Sequence, residues 1–195
     1  MTALGVIAVI LISLSALVLL NSRDWRWVTG ALAVMYLGVF LLVGQSWNFS
    51  LAVLKVVIGW MAAVVLGITQ MGQTHEQKTE ENLPSGRIFR TIASGLVFLV
   101  VFSIAPGFVS WLPELSSEQA VGGMILIGMG LLQLGMTARP IRVVVGLLTT
   151  LAGFEIIYAA VEASVLVAGL LGGVNLGLAL VGAYLMTAPE MEDAQ

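Results

Sequence analysis

The chain has 195 residues, 59% of them hydrophobic and only 10% charged, with a formal net charge of −3 and no cysteine. Soluble domains are nearer about 45–50% apolar and about 25% charged, and a mean hydropathy of +1.04 is more apolar surface than a soluble fold can hide, so the bilayer is the solvent for most of this chain. Without cysteine there is no disulfide framework, thiolate metal site or iron–sulfur cluster from this chain alone, and the weak acidic balance gives no footprint for nucleic acid.

A helix needs about 20 mainly apolar residues to cross about 30 Å of hydrocarbon. Seven segments qualify, at roughly 2–21, 27–44, 50–70, 91–110, 119–138, 142–162 and 165–187. They predict an all-α, polytopic transmembrane bundle of about seven helices. The first run has no positive n-region and no clear small-residue cleavage site after it, so it reads as a retained helix rather than a signal peptide. Pro106 is expected to kink the end of the fourth span. Gly122, Gly128 and Gly135 thin one side of the fifth. No polar loop separates the last two spans, and their turn falls either at 162–164 or in the glycine-rich stretch 169–173. Gly169, Gly173 and Gly177 recur every four residues, a small-residue stripe that predicts close packing of the last helices within the chain or against a partner.

Seven of the eight Lys and Arg residues lie in odd-numbered connections. Arg23 and Arg26 are in the first, Lys78, Arg87 and Arg90 in the third, and Arg139 and Arg142 in the fifth. This positive-inside pattern puts the N-terminus outside and the C-terminus inside. Trp25 and Trp27 are then expected at the inner interface and Trp47 and Trp111 at the outer one, where an indole meets both lipid and water. The third connection, near 71–90, holds His75, Glu76, Lys78, Glu80 and Glu81 and reads as a solvated cytoplasmic loop. One histidine without neighbouring ligands makes no metal site. The expected organisation is an N-terminal four-helix segment (1–110), a C-terminal three-helix unit (111–188) and an acidic cytoplasmic tail (189–195).

Several polar residues stand inside the spans. Glu155 lies thirteen residues past Arg142, about 20 Å along a helix and beyond mid-membrane. A carboxylate cannot snorkel far, and its charged form is costly in hydrocarbon, so it should face other helices or a water-filled cavity. It reads as a proton-relay or ion-site carboxylate, or as a neutral acid bonding across helices. Lys55 lies about 8 Å into the third span; it either snorkels to the outer surface or pairs with a carboxylate during ion movement. Glu162, seven residues after Glu155, shares the path if the helix continues and caps the span if the turn falls near 163. Asn175 and Gln133 read as buried interhelical amides, and Tyr158, one turn after Glu155, as polar support or packing.

The stretch Ala138-Arg139-Pro140-Ile141-Arg142, leading to Gly153-Phe154-Glu155-Ile156, resembles the second helix of the K subunit of respiratory NADH:quinone oxidoreductase. There a cytoplasmic arginine loop precedes a glutamate helix, and the resemblance implies that Glu155 belongs to a proton path. The longer chain is similar to the E component of hydrogenase-4-type membrane hydrogenases, with Leu54-Lys55-Val56-Val57 matching a lysine in its third span, and to the C subunit of Mrp-type antiporters. Where those families carry an acid in the last helix, this chain has Asn175, which cannot carry a proton charge. Glu162-Ala163-Ser164 looks like the surroundings of the second K-subunit glutamate but sits too close to Glu155 for a full intervening loop.

No nucleophile–base pair, phosphate loop or metal cluster is visible, so catalysis and cofactors are not expected of this chain. The resemblance implies a non-catalytic membrane subunit beside antiporter-like partners, in a bacterial or archaeal cytoplasmic membrane, moving protons or sodium ions through Glu155, Lys55 and Glu162. A stand-alone small transporter or channel, and a structural membrane scaffold, are the other readings.

Overall fold

The computed structural model describes residues 2–22, 24–72, 84–137 and 139–192. Among these residues the chain forms seven helices and no strand: α1 (Ala3–Asn21), α2 (Trp25–Val43), α3 (Phe49–Gly72), α4 (Pro84–Trp111), α5 (Ser117–Gly135), α6 (Pro140–Val161) and α7 (Val165–Glu192). The connection holding His75, Glu76, Lys78, Glu80 and Glu81 lies outside the described residues, as do Arg23 and positions 193–195. The turn between the last two helices falls at 162–164, and α7 runs through the glycine-rich stretch without a break.

Local chemistry sets the helix ends. The Thr2 hydroxyl accepts from the Gly5 N–H at 3.1 Å and starts α1. Ser116 and Gln119 form a reciprocal capping box at the start of α5. Pro140 opens α6, where its missing N–H has no intrahelical partner to lose. α4 runs from Pro84 to Trp111 with Pro106 inside its last turns.

Six helices are long and apolar enough to cross a membrane: α1, α2, α3, α4 over Ile88–Trp111, α6, and α7 over Val165–Ala188. This is the helix pattern of an integral membrane protein. The remaining helix, α5, equals α1 in length at 19 residues but carries Glu118, Gln119, Gln133 and five glycines. Those three polar side chains are buried and bonded to neighbouring elements: Glu118 accepts from the Thr2 N–H at the start of α1, Gln119 donates to the Leu42 carbonyl of α2, and Gln133 donates to the Arg142 carbonyl of α6. Large apolar side chains such as Leu96, Leu99 and Phe102 of α4 and Leu166 and Leu170 of α7 point outward, as lipid contact requires.

Glycines decide where backbones touch. A Cβ on Gly153 would meet the Gly123 carbonyl and the Ile127 amide, and one on Gly130 would meet Thr150, so α5 and α6 pack backbone to backbone. Gly122 admits Leu42 and Gly128 admits Val97, whereas Gly135 faces open space. The expectation for Gly169, Gly173 and Gly177 fails within the chain, because all three face open space. The small residues that α7 packs are Gly172, against Ile58, and Gly182, against Val144. That face also holds Ala168, Asn175 and Ala179. Turning it inward takes the Asn175 amide out of lipid, which outweighs the packing that the other stripe offers.

At one end of the bundle Arg142 Nη2 donates to the Ser22 carbonyl at 2.7 Å, so the first turn of α6 grips the carboxyl end of α1. This is the arginine end. Trp47, in the α2–α3 connection, marks the other.

Candidate functional site

Four helices, α2, α3, α6 and α7, meet around one buried polar cluster. On α3, α6 and α7 the polar residue sits on the core-facing stripe, flanked by small residues a turn away. Lys55 lies between Ala52 and Gly59 on α3, Glu155 between Ala152 and Ala159 on α6, and Asn175 between Gly172 and Ala179 on α7. The missing side-chain volume above and below gives each polar group room to lie against the next helix.

The depths agree. Lys55 is six residues from the start of α3, Glu155 six from the end of α6 and Tyr36 seven from the end of α2, which is about 9–10 Å in each case. Asn175, ten residues into α7, is about 15 Å in. The cluster therefore lies nearer the Trp47 end than the arginine end.

Lys55 Nζ donates to Glu155 Oε1 at 2.7 Å, with the two side chains 0% and 1% exposed. Asn175 Nδ2 donates to the same oxygen at 2.8 Å and to the Leu171 carbonyl at 3.2 Å. The Tyr36 hydroxyl donates to Asn175 Oδ1 at 2.9 Å. Oε1 thus accepts twice, while Glu155 Oε2 is buried with no hydrogen-bond partner. A buried carboxylate with one saturated and one orphaned oxygen is unusual, because buried polar atoms are nearly always paired.

Trp47 closes the cluster on its own side. Lys55 Nζ stands 5.8 Å from the centroid of its ring, within cation–π range. The indole Nε1 donates to the Glu162 carbonyl at 2.9 Å, linking the α2–α3 connection to the α6–α7 connection. Trp47 is therefore buried, 4% exposed, and not the interfacial anchor expected of it. Trp27 and Trp111 do lie exposed at helix ends.

Of the residues singled out in the sequence, the fold brings Lys55, Glu155 and Asn175 together. Glu162 caps α6 with an exposed side chain and contributes its backbone carbonyl to Trp47. It does not share a helical face with Glu155, because α6 ends at Val161. Gln133 Nε2 donates to the Arg142 carbonyl at 2.9 Å, a tie at the arginine end away from the cluster. The Tyr158 ring stacks on exposed Phe154, with centroids 5.8 Å apart. Tyr36 and Gly59 belong to the site and carry no signal in the linear sequence beyond a lone hydroxyl and a lone glycine inside apolar runs. Among the described residues no group of three or more His, Cys, Asp or Glu is placed to hold a metal ion.

No family model matches the chain, and no curated protein or solved structure matches it either.

Proposed function

We propose that this integral membrane protein is a non-catalytic subunit of a proton- or sodium-translocating assembly, of complex-I-like, membrane-hydrogenase-like or Mrp type. Glu155 and Lys55 would form part of its ion path. The observation that carries the reading is the Lys55–Glu155 pair, 2.7 Å apart and withdrawn from solvent inside a membrane bundle.

Desolvating such a pair is expensive, and well-packed apolar residues of similar volume are often as stable or more so. Intramembrane ionisable residues therefore read as functional by default. The orphaned Oε2 adds a specific capability, since it is a vacant acceptor on a buried carboxylate. A proton arriving there neutralises Glu155 and loosens its hold on Lys55, whose amine can then lean toward the Trp47 ring. Loss of the proton restores the pair. Glu162, at the Trp47 end, lies outside this exchange or at its mouth. The arginine end faces the cytoplasm in this reading, by the positive-inside pattern. Redox cofactors, where the assembly uses them, belong to partner subunits, and the host membrane is a bacterial or archaeal cytoplasmic membrane.

A structural clamp is the second reading, favoured by the way Oε1 ties α3, α6 and α7 together. Gentle-detergent purification of the tagged native protein, with mass spectrometry of what accompanies it, tests the subunit reading. Antiporter-like membrane proteins in the eluate support it. A protein that emerges alone, or only with copies of itself, overturns it.

A further inference from the structure

The hydrogen bonds around Glu155 have a direction that runs from Tyr36. The Asn175 amide has one acceptor and two donors. Both donors are used, toward Glu155 Oε1 and the Leu171 carbonyl. Turning the amide over would aim Oδ1 at those same two acceptors, a double repulsion. The Tyr36 hydroxyl, donating to Oδ1, holds the amide in the orientation that avoids this. Tyr36 is itself held, because its ring packs against Gly59, where any Cβ would collide with it. Gly59 is one turn along α3 from Lys55, so one helix face positions both the tyrosine and the amine.

The consequence concerns the two oxygens of Glu155. Oε1 faces two N–H donors, from Lys55 and Asn175, so a proton placed on Oε1 would confront both of them. Oε2 faces none. Building on the reading that Glu155 exchanges protons, we infer that Tyr36 is a positioning residue acting through Asn175, and that it makes Oε2 the oxygen on which Glu155 is protonated. The step forms one O–H bond at Oε2, takes its proton from a protonated water and leaves neutral water behind. The carboxyl carbonyl is then Oε1, which still accepts from Asn175 while its hold on Lys55 is weakened.

Without the tyrosine hydroxyl the amide is oriented by its two donors alone, and a proton on Oε1 removes the repulsion on that side and lets the amide turn. The acid can then carry its proton on Oε1 and donate to Asn175 Oδ1, leaving the bare Oε2 as the carbonyl. Hydrogen bonding lowers a carbonyl stretching frequency, so the two arrangements differ in the infrared.

The experiment is infrared difference spectroscopy between low and high pH on the whole protein in membranes, with Glu155→Gln identifying the Glu155 band. Wild type is expected to show a carboxylic carbonyl band that vanishes in Glu155→Gln. Tyr36→Phe, which keeps the ring against Gly59, is expected to move that band to higher frequency. Asn175→Ala is expected to move it up as well, and adding Tyr36→Phe to Asn175→Ala should produce no further shift. A band left unmoved by Tyr36→Phe, or moved equally in the Asn175→Ala background, overturns the positioning role while Glu155 remains a proton carrier. A wild type without any Glu155→Gln-sensitive band overturns the proton-exchange reading itself, and this inference with it.

Discussion

Lys55 Nζ and Glu155 Oε1 lie 2.7 Å apart across the α3–α6 gap, joining residues one hundred positions apart in the chain. Neither side chain reaches solvent, so each is the other's charge partner in a medium that tolerates no lone charge. This asymmetry between breaking the pair and removing it gives the first prediction. Lys55→Met or Glu155→Leu alone leaves one buried partner behind and should destabilise by about 3–5 kcal/mol. The double variant should recover most of that loss. Denaturant or thermal unfolding of the four proteins in detergent measures the cycle, and a double variant as unstable as the sum of the singles would contradict it.

Gly59 and Tyr36 are in direct contact, with no space for a methyl group between them. Gly59→Ala should push the Tyr36 ring away and separate its hydroxyl from Asn175. The expected loss is about 1–3 kcal/mol from overpacking, despite alanine's better helix propensity. Gly169→Ala on α7, which faces open space, should leave stability unchanged or slightly raised. Equal effects at the two glycines would refute the assigned contact.

Trp47 covers the cluster by two separable interactions. Trp47→Phe keeps a ring above Lys55 but loses the Nε1 bond to the Glu162 carbonyl, and should cost about 0.5–1.5 kcal/mol. Trp47→Ala removes the cover itself and should cost about 3–5 kcal/mol. It should also speed hydrogen–deuterium exchange in the neighbouring turns of α3 and α6. Exchange unchanged in Trp47→Ala would show that the indole seals nothing.

How much of this was legible beforehand follows from the physics of each signal. Helix positions were legible because an apolar run of membrane length has few alternative folds. The resulting helices begin and end close to the predicted spans, with α4 and α7 longer than expected. Glu155 and Lys55 stood out because charge inside such a run is rare. That they meet was not legible, since the meeting depends on how α3 and α6 are rotated and paired. Tyr36 looks like any buried aromatic until Asn175 is placed beside it. The Gly169–Gly173–Gly177 stripe was expected to pack within the chain or against a partner, and within the chain it packs nothing, because α7 turns the face that holds Asn175 inward. Glu162 hung on a single turn, and the turn at 162–164 put its side chain outside.

At the arginine end, Arg142 spans α6 and α1 through the Ser22 carbonyl. Arg142→Gln should weaken this tie by about 1.5–3 kcal/mol, the range for a hydrogen bond with a charged donor. Cysteine crosslinking yield between the ends of α1 and α6 should fall with it. Undiminished yield would show that the tie does not hold the two helices.

The central claim is that Glu155 carries the transported charge, and the direct measurement is ion translocation by the assembled Glu155→Gln protein in sealed vesicles. Glutamine keeps the size and an acceptor for Lys55 but cannot bind and release a proton. The account predicts normal assembly with translocation reduced at least about tenfold, equivalent to about 1.4 kcal/mol in a rate-limiting step, and restored in part by Glu155→Asp. Full translocation by a verified, assembled Glu155→Gln protein would contradict it.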